Sequence, residues 1–117
     1  MTFQLTEPML IIGLGGVGAK LAEKAKESLN SDCLLISHDQ KDLTPENSIK
    51  IPTKSIVNPS AHLIRGSALE TLDEIKKNIS NYSTIILISN LAGKAGIGIG
   101  PIISKICKEE EKNLLSF

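Results

Sequence analysis

Apolar positions along this 117-residue chain fall into two alternating patterns. Uninterrupted apolar runs at 8–12, 33–36 and 84–88 read as buried strands, because a strand covered on both faces has no polar side to show. Between them the period changes to 3.6. Val17, Leu21, Ala25 and Leu29 recur on one face of a helix whose other positions carry Lys20, Glu23, Lys24 and Glu27. Leu69, Leu72, Ile75 and Ile79 do the same for a second helix, and residues 102 to about 111 form a last one. Asn30-Ser31-Asp32 stops the first helix and Asn81 the second. Strand, helix and strand within residues 8–39 make a βαβ unit, which predicts parallel strands and a right-handed crossover. The expected fold is α/β: a single Rossmann-like domain over residues 1–117, three-layered, with a mostly parallel sheet and two glycine-rich strand-to-helix loops.

Residues 40–59 are the least regular, punctuated by Pro45, Pro52 and Pro59. Residues 49–51 predict a short edge strand. Asn58-Pro59 predicts a turn, with a short helical turn through Ile64 and a break at Gly66. Ser67-Ala68-Leu69-Glu70 has the capping-box form and places a helix start at Ser67. The charge run 108–112 reads as a solvated helix end, and residues 113–117 as the first half of one more strand.

The glycines carry the candidate chemistry. Gly13-Leu14-Gly15-Gly16-Val17-Gly18 fits G-x-G-x-x-G with a strand before it and a helix after it, the context that pattern needs to cradle phosphate on backbone N–H groups. Asp39 lies 21 positions after Gly18, where a dinucleotide fold keeps an acid for the ribose hydroxyls. The second stretch runs from Asn90 to Pro101. Its glycines at 93, 96, 98 and 100 permit positive φ and close approach of a ligand, and Pro101 suits the first turn of a helix. Free amides and the positive end of a helix dipole then converge, which makes an anion site. A plain glycine-rich connector is the alternative.

Composition narrows the partners. Lys plus Arg equals Asp plus Glu at 13 each, so no charge excess argues for nucleic acid or a membrane surface. Aromatics are only 3% (Phe3, Tyr82, Phe117), too few for a base-stacking platform. No apolar run reaches membrane-spanning length, and residues 1–8 lack the features of a signal peptide, so a cytoplasmic protein is expected. Cys33 and Cys107 read as reduced core residues. His38 and His62 have no ligand-spaced partners, and no metal role is expected of them.

Two glycine-rich loops about eighty residues apart exceed the one of a plain dinucleotide fold. Together with the second strand they resemble the nucleotide-binding domain of the tubulin/FtsZ family. Residues 12–18 look like the family's first phosphate loop, and residues 35–43 like the stretch that bacterial members write I-N-T-D-x-Q-x-L. Residues 92–98 lie where the family has G-G-G-T-G-T-G, with Pro101 at the matching distance, and Asn58-Pro59 resembles the Asn-Pro closing another nucleotide loop. The chain departs at Lys94, where a Gly is expected, and at Ala95 and Ile97, where Thr is expected; Asn90 also replaces a glycine of the lead-in. The family's central helix, catalytic loop and second domain fall beyond residue 117.

The resemblance implies a GTP- or GDP-binding module of a cytoskeletal or cell-division protein, with Mg²⁺ as companion ion and self-association or a protein partner. It implies nucleotide contacts from Gly13, Gly15, Gly16, Gly18, Asp39, Asn58, Gly93, Lys94, Gly96 and Gly98, with Lys94 adding charge in place of the lost threonines. GTPase activity follows by resemblance only, since the loop carrying the catalytic acid is missing and no nucleophile–base pair or Walker motif is present. Two other readings stay open: an interaction subunit whose loops bind nothing, and an ordinary Rossmann domain taking NAD or ATP.

Overall fold

The three apolar runs form the centre of the molecule. In a computed structural model, which describes residues 8–29, 31–37, 43, 47–51, 60–90 and 94–117, they become β1 (Met9–Leu14), β2 (Asp32–Ser37) and β4 (Thr84–Ser89). With β3 (Ser48–Lys50) and β5 (Asn113–Ser116) they build a five-stranded sheet in the order β3-β2-β1-β4-β5, every pairing parallel. The helices are α1 (Gly15–Leu29), α2 (Ala61–Glu70), α3 (Leu72–Ile79) and α4 (Lys94–Glu109). The α/β class, the parallel register and the edge position of the short strand near residue 49 are as the sequence predicts.

The continuous apolar runs split by alternation into two cores. Leu10, Ile12, Leu14, Leu34, Ile36, Ile85 and Leu87 point to one face, where Ile64, Ile75, Ile79, Ile99, Ile103 and Ile106 of α2, α3 and α4 cover them. Ile11, Cys33, Leu35, Ile86 and Ile88 point to the other, where Ala19 and Ala22 of α1 lie over them. Cys33 and Cys107 are therefore separated by the sheet, and both are free and buried. Burial pushes the Cys33 thiol up, and pushes Cys107 to about 11.

Four elements depart from the sequence reading. The row Val17, Leu21 and Leu29 is not the buried face of α1; these side chains are 54%, 47% and 44% exposed. The buried positions are Gly18, Ala19 and Ala22, with Ala25 packed at the margin. The helix lies so close to the sheet that only small residues fit beneath it. A Cβ on Gly18 would stand 2.5 Å from the Ile88 carbonyl oxygen, and one on Gly13 would stand 2.5 Å from that of Gly18.

The capping box is overturned as well. Ser67 is buried inside α2, whose N-cap is Ser60, its hydroxyl accepting from the Leu63 amide at 3.2 Å. Gly66 is passed without a break because a helical glycine on the exposed side costs only about 1 kcal/mol relative to alanine. The interruption comes at Thr71, whose hydroxyl and amide both donate to the Ala68 carbonyl, competing with the helix ladder.

Nor does α4 start at Pro101. It starts at Lys94, and Pro101 lies within it. Finally, Lys112 is not merely part of a solvated run: its Nζ donates to the carbonyls of Tyr82 (2.6 Å) and Ser80 (3.1 Å), tying the α4–β5 turn to the α3–β4 turn.

Candidate functional site

Parallel strands deliver all their following segments to one edge of the sheet, and at that edge β1 and β4 are neighbours, with Leu14 opposite Ser89. Each leads into a helix there. α1 begins at Gly15 with no intervening residue, and the turn is possible because Gly15 takes φ 72°, a conformation that side chains rarely adopt. α4 begins at Lys94. The two helix N-termini thus meet above adjacent strands, and neither carries an acidic residue in its first turn to offset its positive end. Leading amides of a helix have no partner within it, so this edge presents two sets of donors to a common space. It fits an anion such as a nucleotide's phosphates.

The glycines divide by what surrounds them. Gly15 and Gly16 are half-buried at the start of α1, placed to offer amides. Gly13 and Gly18 are buried and allow α1 to seat against the sheet, whatever else they contact. Gly96 is helical. Its need for glycine is steric: a Cβ there would lie 2.7 Å from the Asn90 carbonyl oxygen and 3.2 Å from the Ser89 Cβ. The expected positive φ in the second stretch is not found at Gly96 or Gly100, which belong to α4; among the described glycines Gly15 has it. Gly98 is buried within the same helix. Asp39, Asn58 and Gly93 lie outside the described residues.

Two hydroxyls at this edge escaped the sequence reading. Ser37 ends β2 fully buried, and Ser89 ends β4 half-buried on the α4 side, its amide donating to the Phe117 carbonyl at 3.0 Å. The readable signal was that both strands close on serine after an apolar run.

The opposite edge is of another kind. A small cleft of about 170 Å³ is lined there by Leu10, Asp32, Cys33, Leu34, Asn47, Asn78 and Tyr82. Tyr82 donates to Asp32 Oδ2 at 2.7 Å, and this bond, with burial and the carboxylate's charge, pushes the phenol up to about 12. No helix start points into it. Among the described residues no His/Cys/Asp/Glu group could hold a metal ion, and no helix is long and apolar enough to cross a membrane.

Comparison with known proteins adds the fold family. No protein-family model matches the chain, and no curated protein matches it significantly. Solved structures do. FtsZ of M. jannaschii in an empty dimer superposes with a TM-score of 0.77 at 21% identity, over 89% of this chain and 33% of that one. TubZ of Clostridium botulinum phage c-st, truncated in its C-terminal tail, gives 0.74 at 17%, over 92% and 40%. CetZ of Methanosaeta thermophila gives 0.73 at 14%, over 93% and 35%. The chain has the tubulin/FtsZ fold, and spans about a third to two fifths of the length of these proteins.

Proposed function

We propose that this chain is a nucleotide-binding module of the tubulin/FtsZ kind, taking the phosphates of GTP or GDP between the starts of α1 and α4. The observation that carries the reading is the pair of acid-free helix N-termini raised side by side on β1 and β4. Gly15, Gly16, Gly96 and the amides around Lys94 supply the donors, Asp39 and Asn58 complete the nucleotide's surroundings, and Mg²⁺ accompanies the phosphates. The likeness to FtsZ, TubZ and CetZ supports a cytoskeletal or cell-division setting and assembly with further copies or a partner. Phosphoanhydride hydrolysis also needs an oriented water. With Ala95 and Ile97 in place of hydroxyl residues, the chain alone is expected to turn over little GTP.

The test is calorimetric titration of the purified chain with GTP, ATP and NAD, with and without Mg²⁺. Saturable GTP binding that exceeds NAD binding supports the reading. Preference for NAD or ATP points to the ordinary Rossmann alternative, and no binding of any nucleotide leaves the interaction subunit. Steady GTP turnover by the chain alone, lost in Lys94→Ala, would overturn the expectation about hydrolysis.

A further inference from the structure

We propose that the first half of α4, Lys94–Gly100, is a marginal helix whose formation is coupled to the anion at the sheet edge, so that the nucleotide orders the element that binds it. The proposal rests on the nucleotide reading and adds a conformational step to it. Gly96, Gly98 and Gly100 occupy three of five consecutive positions. Each disfavours helix about fivefold relative to alanine, so together they weaken this half by about a hundredfold. Pro101 follows within the helix and has no N–H to give the Ile97 carbonyl, so the ladder is broken where the two halves join. The second half holds itself, with Ile102, Ile103, Ile106 and Cys107 buried against the sheet.

The first half has one apolar anchor among its described side chains, Ile99, which is fully buried, whereas Ile97 is 53% exposed. Uncoiling the first half therefore gives up, among the described side chains, the burial of Ile99 alone, against four buried residues that hold the second half. Only the coiled form aligns its leading amides toward the space shared with α1. An anion that binds this form stabilises it, and whatever stabilises the helix in advance tightens the anion by up to the same factor, in proportion to the helical population gained.

Two substitutions move the equilibrium in opposite directions without crowding the site. A Cβ on Gly100 meets nothing within 4 Å, so Gly100→Ala favours the helix by about fivefold. Ile97→Gly disfavours it by about threefold and removes an already exposed side chain. The experiment follows amide hydrogen exchange of Gly98 and Ile99, whose helix acceptors are the carbonyls of residues 94 and 95, in the full 117-residue chain with and without GTP, and measures GTP affinity by calorimetry. Exchange is expected to slow by up to about fivefold in Gly100→Ala and to quicken in Ile97→Gly, with GTP slowing it further in the wild type and affinities ranked Gly100→Ala, wild type, Ile97→Gly. Exchange in the ligand-free chain that is already slow and unchanged by either substitution overturns the proposal. Equal GTP affinities in all three chains overturn the coupling while leaving the nucleotide reading standing. Absence of GTP binding in all three removes the nucleotide reading, and the coupling with it.

Discussion

At the scale of single residues, small side chains decide more of this molecule than large ones. Sequence reasoning weights Val17, Leu21 and Leu29 by their hydrophobicity, but α1 is held by the closeness that Gly13, Gly18 and Ala22 permit. Gly18→Ala should therefore destabilise the fold by about 2–3 kcal/mol, because the added carbon meets backbone that cannot move aside. Leu21→Ala should cost under about 1 kcal/mol, well short of the 2–5 kcal/mol of a core leucine. Urea midpoints of the two variants check both, and the reverse ranking would refute the account. Gly96→Val should abolish nucleotide binding in the folded fraction, since its Cβ meets the Asn90 carbonyl where the amides must align; calorimetry within twofold of wild type would reject the site. Tyr82 offers a cleaner readout, being the chain's only tyrosine in the absence of tryptophan. Its phenol is held neutral by the bond to Asp32, so its folded-state value, about 12, lies above the ordinary 10. The contribution of that bond is fully present below pH 10 and is lost as the pH rises from 10 to about 12. Ultraviolet titration should place the phenolate midpoint near 12, and Asp32→Ala should return it toward 10; an unshifted wild-type midpoint would contradict the hydrogen bond.

Elements were legible where a local pattern and the tertiary contacts agree. The strands declared themselves because a sheet covered on both faces demands uninterrupted apolar runs, and the runs 8–12, 33–36 and 84–88 form the centres of β1, β2 and β4. Helix starts were less legible, because several signals compete and only packing chooses among them. Ser67-x-x-Glu70 and Ser60 can both cap a helix, and burial of Ile64 and Ala68 on one continuous face favours the earlier start. In the same way Gly93 to Pro101 suggests a loop to any propensity scale, yet Ile99 fits the core only if the helix already runs through it. The candidate site was readable as two glycine-rich stretches that each lead into a helix, but the second helix was placed from Pro101 on and not from Lys94. Capping energetics test the assignment: Ser60→Ala should cost about 1 kcal/mol, whereas Ser67→Ala, now in a helix interior, should change stability by less than about 0.5 kcal/mol. Thermal unfolding that ranks them the other way would restore the capping box at Ser67.

Across the whole molecule the two faces of the sheet are unequally covered. Three helices close one face, while α1 is the one described helix on the other, over β1, β2 and β4, with Leu43 packed beside it. Its flank toward β4 is marked by the approach of Gly18 to Ile88, and helical spacing puts Leu21 and Ala25 on that side of α1. Beyond that flank comes β5, with Leu115 half-buried and Phe117 69% exposed on the same face. β5 is also an edge strand, and its outer row of backbone groups has no neighbouring strand among the described residues. An open edge joined to an apolar strip favours association, because both the unpaired backbone and the exposed carbon surface gain from a second surface laid against them. The 117-residue chain is therefore expected to self-associate in solution. Replacing Leu115 and Phe117 with Lys should shift it toward monomer, since charge on an edge strand opposes pairing and the strip loses its apolar centre. Sedimentation equilibrium distinguishes the outcomes. A concentration-dependent mass in the wild type that falls in the double variant supports the edge as the contact. Association that the double variant leaves unchanged would move it to another surface, such as the opposite sheet edge at β3, and a single monomeric species at high micromolar concentration would refute it altogether.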